Sequence, residues 1–225
     1  MSESEKSGTG ALNPGAGALI IAVDGPAASG KGTLARHLAD HFGLRHLDTG
    51  GLYRAVGACV LRDGDDPADA GASEAAARNL TKSDLKAPNL RDEEVGQAAS
   101  ILSVHPPVRA ALLAYQRDFA NTTPGAVLDG RDIGTVVCPE AAAKIYLAAS
   151  PEVRAARRAK ELRLRGVESI ESRVLQEMKD RDARDSGRAV APLKAAEDAL
   201  TIDTTGLSPD EVFDLALSFI AARAD

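Results

Sequence analysis

The chain has 225 residues, with no Trp and an aromatic content of only 3%. Proteins that bind single-stranded nucleic acid by stacking need exposed rings, so that class is disfavoured. Cysteine is scarce too. Cys59 and Cys138 are the only two and lie far apart, without metal-ligand spacing or the density of a disulfide framework. Both are read as reduced thiols. No apolar run approaches the ~20 residues that cross a bilayer. The opening stretch "MSESEKSGTGALNPGAG" lacks the basic-then-apolar order of a secretory leader. Its Gly, Ser and Pro content predicts a disordered tail over residues 1–17. Excess positive charge is also missing: the net charge is −6, so the surface as a whole does not attract polyanions. A cytoplasmic protein with neither membrane nor nucleic-acid partners is expected.

What the chain does have is 44% hydrophobic residues, enough for a sizeable core. Apolar runs at 19–23, 126–128, 144–148 and 199–202, with a short fifth at 45–47, each end at or near a polar or glycine-rich turn such as "DGP", "DTG", "DGRDIG", "ASP" or "DTTG". Helical patterns occupy 32–41, 107–120, 151–164 and 170–184. Alternating strands and helices predict an α/β domain with a parallel sheet. The stretch 61–103 breaks that rhythm and reads as an inserted lobe. The expected organisation is one domain over 18–225: a core over 18–60 and 104–225, the lobe over 61–103, and a basic helical segment over 151–190.

Behind the first apolar run stands "DGPAASGKGT". Gly25, Pro26, Ala27, Ala28, Ser29, Gly30 and Lys31 fit G-x-x-x-x-G-K, the phosphate-binding loop. Main-chain N–H groups there can curl around phosphate oxygens at the start of a helix, and Lys31 adds a point charge. The next residue is Gly32, and the hydroxyl that usually follows the lysine comes one place later, at Thr33. The alternative is a plain strand-to-helix turn with an incidental lysine. Farther along, "LDGRDIG" puts Asp129 at the carboxyl end of a strand, where open α/β sheets bind ligands. It could hold water around Mg²⁺, or merely cap the next turn.

Residues 150–194 carry 12 Lys and Arg against 8 Asp and Glu, and the rest of the chain carries 15 against 25. A basic segment in an acidic chain points to a local anionic partner. Arg181, Asp185 and Arg188 fall on one helix face, with Arg184 a turn away and Arg154, Arg157 and Arg158 repeating the pattern earlier. Guanidinium forks suit transferring phosphoryl groups. The competing reading is a solvated helix with local ion pairs.

Together, "GPAASGKGT", "LDTGGLYRA", "LDGRDIGTVVCPEA" and "RDARDSGRAVAPLKAAEDALTIDTTGLS" closely resemble bacterial cytidylate kinases, which are nucleoside monophosphate kinases, over about 19–221. The resemblance implies a P-loop core of five parallel strands flanked by helices, with an NMP-binding lobe and a helical lid. It implies transfer of a phosphoryl group from ATP to CMP or dCMP in pyrimidine metabolism, with Mg²⁺ held by Thr33 and, through water, Asp129, in a monomer. By position, Thr49, Tyr53 and Arg54 match the acceptor-phosphate region. Ser100 and Arg109 match cytosine readers. Arg131 and Asp132 match acceptor contacts, with Asp132 near the cytosine amino group. Arg181, Asp185 and Arg188 match ribose and phosphate contacts. Lys31, Arg157, Arg181 and Arg184 are the expected charge-neutralising set, and Ser208 follows a loop resembling the region beside the donor adenine. Two departures stand out. Thr49 replaces the usual Ser, and the lobe "TKSDLKAPNLRDEEVGQAAS" is short and poor in β-branched residues, so a full three-stranded insert is not expected.

The chemistry is coherent. Asp132 can accept from the cytosine amino group, and Arg109 and Ser100 can donate to its acceptors. Uracil carries a carbonyl where cytosine carries the amino group, and an unpaired buried polar group costs roughly 1–3 kcal/mol, or ~10–100-fold. Two other readings stay open: a kinase for another small acceptor, such as a different monophosphate or shikimate, and a non-enzymatic nucleotide-dependent switch.

Overall fold

A computed structural model describes residues 18–223; the expected tail, 1–17, lies outside them. The strands are β1 (Leu19–Asp24), β2 (Arg45–Asp48), β3 (Gly125–Gly130), β4 (Ala143–Ala148) and β5 (Leu200–Asp203). They pair in the order β2-β3-β1-β4-β5, and every pair is parallel. The five expected strands all form, within two residues of their predicted ends.

Parallel strands must bury both faces, because the crossovers lay helices on each side. The alternation along β1 and β3 meets that need. Ile21, Val23 and Val127 pack against α1 (Lys31–Phe42) and α8 (Pro209–Ala221). Ala22, Ala126 and Leu128 face the opposite layer, formed by α2 (Thr49–Arg62) and α5 (Pro106–Asn121). Each fully buried aliphatic chain contributes about 1.5–3 kcal/mol.

From β1 the chain crosses to β2 on one side, whereas from the adjacent β3 it crosses to β4 on the other. The carboxyl ends of β1 and β3 therefore flank the point where strand order reverses, the place where such sheets open a crevice.

Residues 61–103 form the end of α2, then α3 (Ala70–Arg78), a 3₁₀ turn (Asp84–Lys86) and α4 (Glu93–Leu102), with no strand. The alanine-rich α3 is a strong helix former, and Asp69 caps it by accepting from Gly71 N and Ala72 N. Gly57 lets α2 and α4 approach closely: a Cβ there would stand 3.1 Å from Ala99 N. After β4, Ser150 and Pro151 start α6 (Pro151–Leu164), and α7 (Glu171–Ser186) follows. Ala155, Leu162, Val174 and Met178 join these two helices and seat them on Ala27 and Ala28.

Candidate active site

The crevice is a cleft of about 480 Å³, within the range of small-molecule sites. Its floor is the glycine-rich loop. Gly25 follows β1 with φ 152°, and a Cβ there would lie 2.4 Å from Leu147 O, so the loop passes too close to β4 for any side chain. Ala28 and Gly30 also have positive φ, 57° and 95°. No side chain caps α1 at Gly30; the main chain itself faces the cleft, as an anion site at a helix start requires. Ala27, Ala28, Gly30, Lys31, Gly32 and Thr33 line the cleft. Gly25, Pro26 and the fully buried Ser29 shape the loop from behind. Lys31 Nζ lies 3.3 Å from Pro26 O, curled over the loop. Burial, reinforced by the charge of Arg131, holds its pKa down to about 7. Both costs are relieved by polyphosphate oxygens.

The opposite wall comes from four separate segments. Tyr53 and Arg54 project from α2, Arg109 from α5, Arg131 and Asp132 from the turn after β3, and Arg181, Asp185 and Arg188 from and just after α7. Arg109 donates to Asp132 and to Ser103 O, so a guanidinium and a carboxylate stand side by side in a buried corner. Asp185, 1% exposed, accepts from Arg131 Nε at 2.8 Å and from Arg188. Burial pushes its carboxyl up, but Arg131, Arg188 and Arg181 outweigh that and hold it at about 2. Arg181 suffers the converse: burial and then Arg131 bring it down to about 10. Its Nε, like those of Arg54 and Arg188, is buried without a partner. Orphaned guanidinium donors beside a phosphate loop fit an anion that completes them.

Several expected residues stand elsewhere. Arg157 does not line the cleft. It donates to Thr204 Oγ1 and Thr204 O, and Thr204 in turn donates to Ser29 O, so Arg157 braces the loop from outside. Its neighbour Arg158 lines the cleft instead, with Glu161 one turn on. Arg154 is an internal tie, reaching Asp182 at 2.6 Å and Ala27 O at 3.3 Å. Ser100 and Arg184 bond each other at 3.2 Å, outside the lining set. Helix phase explains this: Gly96, Ala99 and Ser103, at i, i+3 and i+7, face the cleft, and Ser100 falls beside that stripe. The Thr49 hydroxyl is spent on Asp129 O at 2.8 Å, although Thr49 lies at the cleft edge. Ser208 builds a capping box for α8 with Glu211.

Sequence reasoning missed Asp48 and Ser103, and picked out Arg158 only as one of three arginines on a basic helix. Asp48 was detectable as the residue before a glycine-rich helix start. It caps α2, accepting from Gly51 N, and pairs with Arg54 at 2.5 Å. Burial pushes its carboxyl up, yet Arg54 more than offsets this. Ser103 carried no signal, and nothing set Arg158 apart from Arg154 and Arg157, because only packing sets the phase of their helices.

For a cation, no cluster of three or more His, Cys, Asp or Glu residues with ligand geometry occurs among the described residues. Mg²⁺ needs no such cage, since phosphates and water supply most of its shell. Thr33 lines the cleft, and Asp129 Oδ2 stands 3.7 Å from where a Cβ on Gly32 would be. The bare glycine leaves room there. Asp129 is 3% exposed and its Oδ1 is held by His46 Nε2 at 2.6 Å. That suits contact through water.

A main-chain phosphate cradle at the end of β1, facing a guanidinium-rich chamber at the strand-order reversal, is how P-loop phosphotransferases are built. Solved structures agree on the fold alone. An uncharacterized protein from Eubacterium ventriosum covers 91% of this chain and 99% of its own at TM-score 0.53 and 15% identity. A gluconokinase from Sinorhizobium meliloti covers 92% and 93% at TM-score 0.50 and 17% identity.

Within that class, the chain belongs to the cytidylate kinase family, whose family model matches residues 21–222. The cytidylate kinase of Paramagnetospirillum magneticum is 56% identical, covering 91% of this chain and 98% of its own. That of Rhodospirillum rubrum is 54% identical, covering 92% and 99%.

Proposed function

We propose that this protein transfers the γ-phosphoryl group of ATP to CMP and dCMP, giving ADP and CDP or dCDP. An oxygen of the acceptor phosphate attacks the γ-phosphorus in line as its bond to the β,γ-bridging oxygen breaks. No general base is required, because that oxygen is already anionic near neutral pH; catalysis is positioning and charge stabilisation. Lys31 and the loop N–H groups hold the donor phosphates. Arg54, Arg131 and Arg188 place the acceptor phosphate. Arg181 stabilises the transferring group, Arg157 braces the loop from outside through Thr204, and Arg184 ties α7 to α4 through Ser100. Thr33 and, through water, Asp129 would hold the Mg²⁺ that accompanies ATP, which would supply positive charge to the donor phosphates. Residues 151–190 act as a lid, and 61–103 as the lobe that receives the monophosphate.

The observation that carries the acceptor assignment is the Arg109–Asp132 pair in the buried corner. It offers a donor and an acceptor side by side, as cytosine's ring acceptors and amino group require. Acceptance of dCMP is supported by Asp185, whose two oxygens already have arginine partners; an absent sugar hydroxyl leaves no buried carboxylate unpaired. The protein is read as a cytoplasmic monomer of pyrimidine metabolism. No helix among the described residues is long and apolar enough to cross a membrane.

The test is ADP release from ATP with CMP, dCMP, UMP, AMP or shikimate as acceptor. Turnover with CMP and dCMP well above the others is expected. Turnover with shikimate or AMP alone would support a different small-acceptor kinase, and slow hydrolysis indifferent to all five would indicate a nucleotide switch.

A further inference from the structure

Asp24 is the last residue of β1 and the residue before the phosphate-binding loop. It is 4% exposed and does not line the cleft. Both of its carboxylate oxygens are engaged in one direction. Oδ1 accepts from Ile133 N and Oδ2 from Gly134 N, each at 2.8 Å. Those two amides open a single π-helical turn (Ile133–Val137) that directly follows Arg131 and Asp132. The far end of the same turn is also held, because Arg117 donates to Val136 O and Val137 O at 3.0 Å. The fit at the near end is tight: a Cβ on Gly134 would meet Asp24 Oδ2 at 3.4 Å and the stem of Lys144 at 3.2 Å.

This carboxylate is an expensive way to close a strand end. Burial pushes its pKa up to about 7, even though the amides of Gly134 and Ile133 favour the charged form. A carboxyl that binds its proton more tightly when folded loses stability on ionising, increasingly as pH rises from about 4 to about 7. Stability therefore does not account for a charge here, whereas geometry does. In the ladder, Asp24 stands opposite Gly130, the last residue of β3. Arg131 and Asp132 leave β3 from that point, and Asp24 holds the first two main-chain amides after them, closer to Asp132 than the Arg117 contacts at the far end of the turn.

We propose that Asp24 is a positioning residue, tying the donor loop to the base-reading segment: by gripping the amides of Ile133 and Gly134 it fixes the direction of Asp132 and so sets discrimination between cytosine and uracil. This rests on the reading of Asp132 as the group that meets the cytosine amino function.

Steady-state kinetics of Asp24→Asn, Asp24→Ala and Asp132→Ala with CMP and UMP, each at saturating ATP, tests it. An Asn side chain offers one acceptor where two amides need it, and Ala offers none. The KM for CMP is expected to rise at least about fivefold in Asp24→Asn and further in Asp24→Ala, the scale of one or two unmade buried hydrogen bonds. The CMP-over-UMP ratio of kcat/KM falls with it, while the KM for ATP stays within about twofold. A ratio that collapses in Asp132→Ala but holds in both Asp24 variants overturns the clamp alone. A ratio unchanged in all three overturns the base reading and the clamp with it. Equal losses toward ATP and CMP would reduce Asp24 to general support of the fold. Should the variants not fold, amide hydrogen exchange in the wild-type protein decides. Ile133 and Gly134 are expected to be protected without nucleotide, and free exchange at both overturns the clamp.

Discussion

Around β1 the interior is sealed by side chains such as Ile21, Val23 and Leu147, each with no measurable exposure. Where α4 meets α6 and α7 the contacts are of another kind. Arg158 reaches Glu93 at 2.7 Å, Arg165 reaches Asp92 at 3.4 Å, Arg184 reaches Ser100 at 3.2 Å and Arg188 reaches Ser103 at 2.9 Å. Apolar burial is non-directional and has no substitute among a ligand's phosphate oxygens. A half-exposed ion pair is worth about 0–1 kcal/mol, and its arginine can exchange a carboxylate for a phosphate at little cost. The sheet is held by contacts without a substitute, and the seam between α4 and α6–α7 by contacts that can trade partners.

The contrast breaks most severely at Asp185, an α7 residue tied to the segment after β3 by buried charge. Asp185→Asn should destabilise the protein by about 3–5 kcal/mol at pH 7, as when one member of a buried pair is removed, measured by denaturant unfolding. The carboxyl's folded pKa of about 2 lies below its ordinary 3.8, so its contribution is complete above pH ~4 and lost as pH falls toward ~2. The gap between the wild type and the variant should narrow by about 2 kcal/mol over that window. A gap of unchanged size from pH ~5 to pH ~2 would remove the charge argument.

Lys31→Ala sharpens the other side. With the loop's main chain unchanged, turnover should fall at least ~100-fold, about 2.7 kcal/mol, the scale of one preorganised charge contact. Near-normal turnover would contradict the donor assignment. Asp132→Ala should cost CMP about 10–100-fold in kcat/KM and UMP less; equal losses on both would take Asp132 out of base recognition. The smallest effect belongs to Glu93→Gln, which frees Arg158 at the lid contact. Less than about 1 kcal/mol of stability should be lost, with the loss vanishing at high salt. A loss of several kcal/mol, insensitive to salt, would mean that lid and sheet are held alike.

The parts legible in the sequence were those with local causes. The strands appeared because buried parallel strands read as short apolar runs bounded by turns, and the phosphate loop because its glycines are needed within a few residues of one another. Arg157 and Arg158 could not be told apart, because a helix that is basic on several faces does not reveal which face looks inward. Ser100 and Ser103 differed only by the phase of α4. Asp24 sat in full view just before the motif, but the amides it grips are more than a hundred residues away.

The chain's own order of residues determined the alternation of strand and helix, the place of the anion cradle and the basic character of the 151–190 segment, since each is a matter of neighbours along the backbone. Tertiary packing alone decided which arginines point into the cleft, and that Asp132 would stand beside Arg109 and be steadied by Asp24. Those contacts join segments that meet only when the sheet reverses its strand order, and side-chain direction there is set by the surrounding elements rather than by the residue itself.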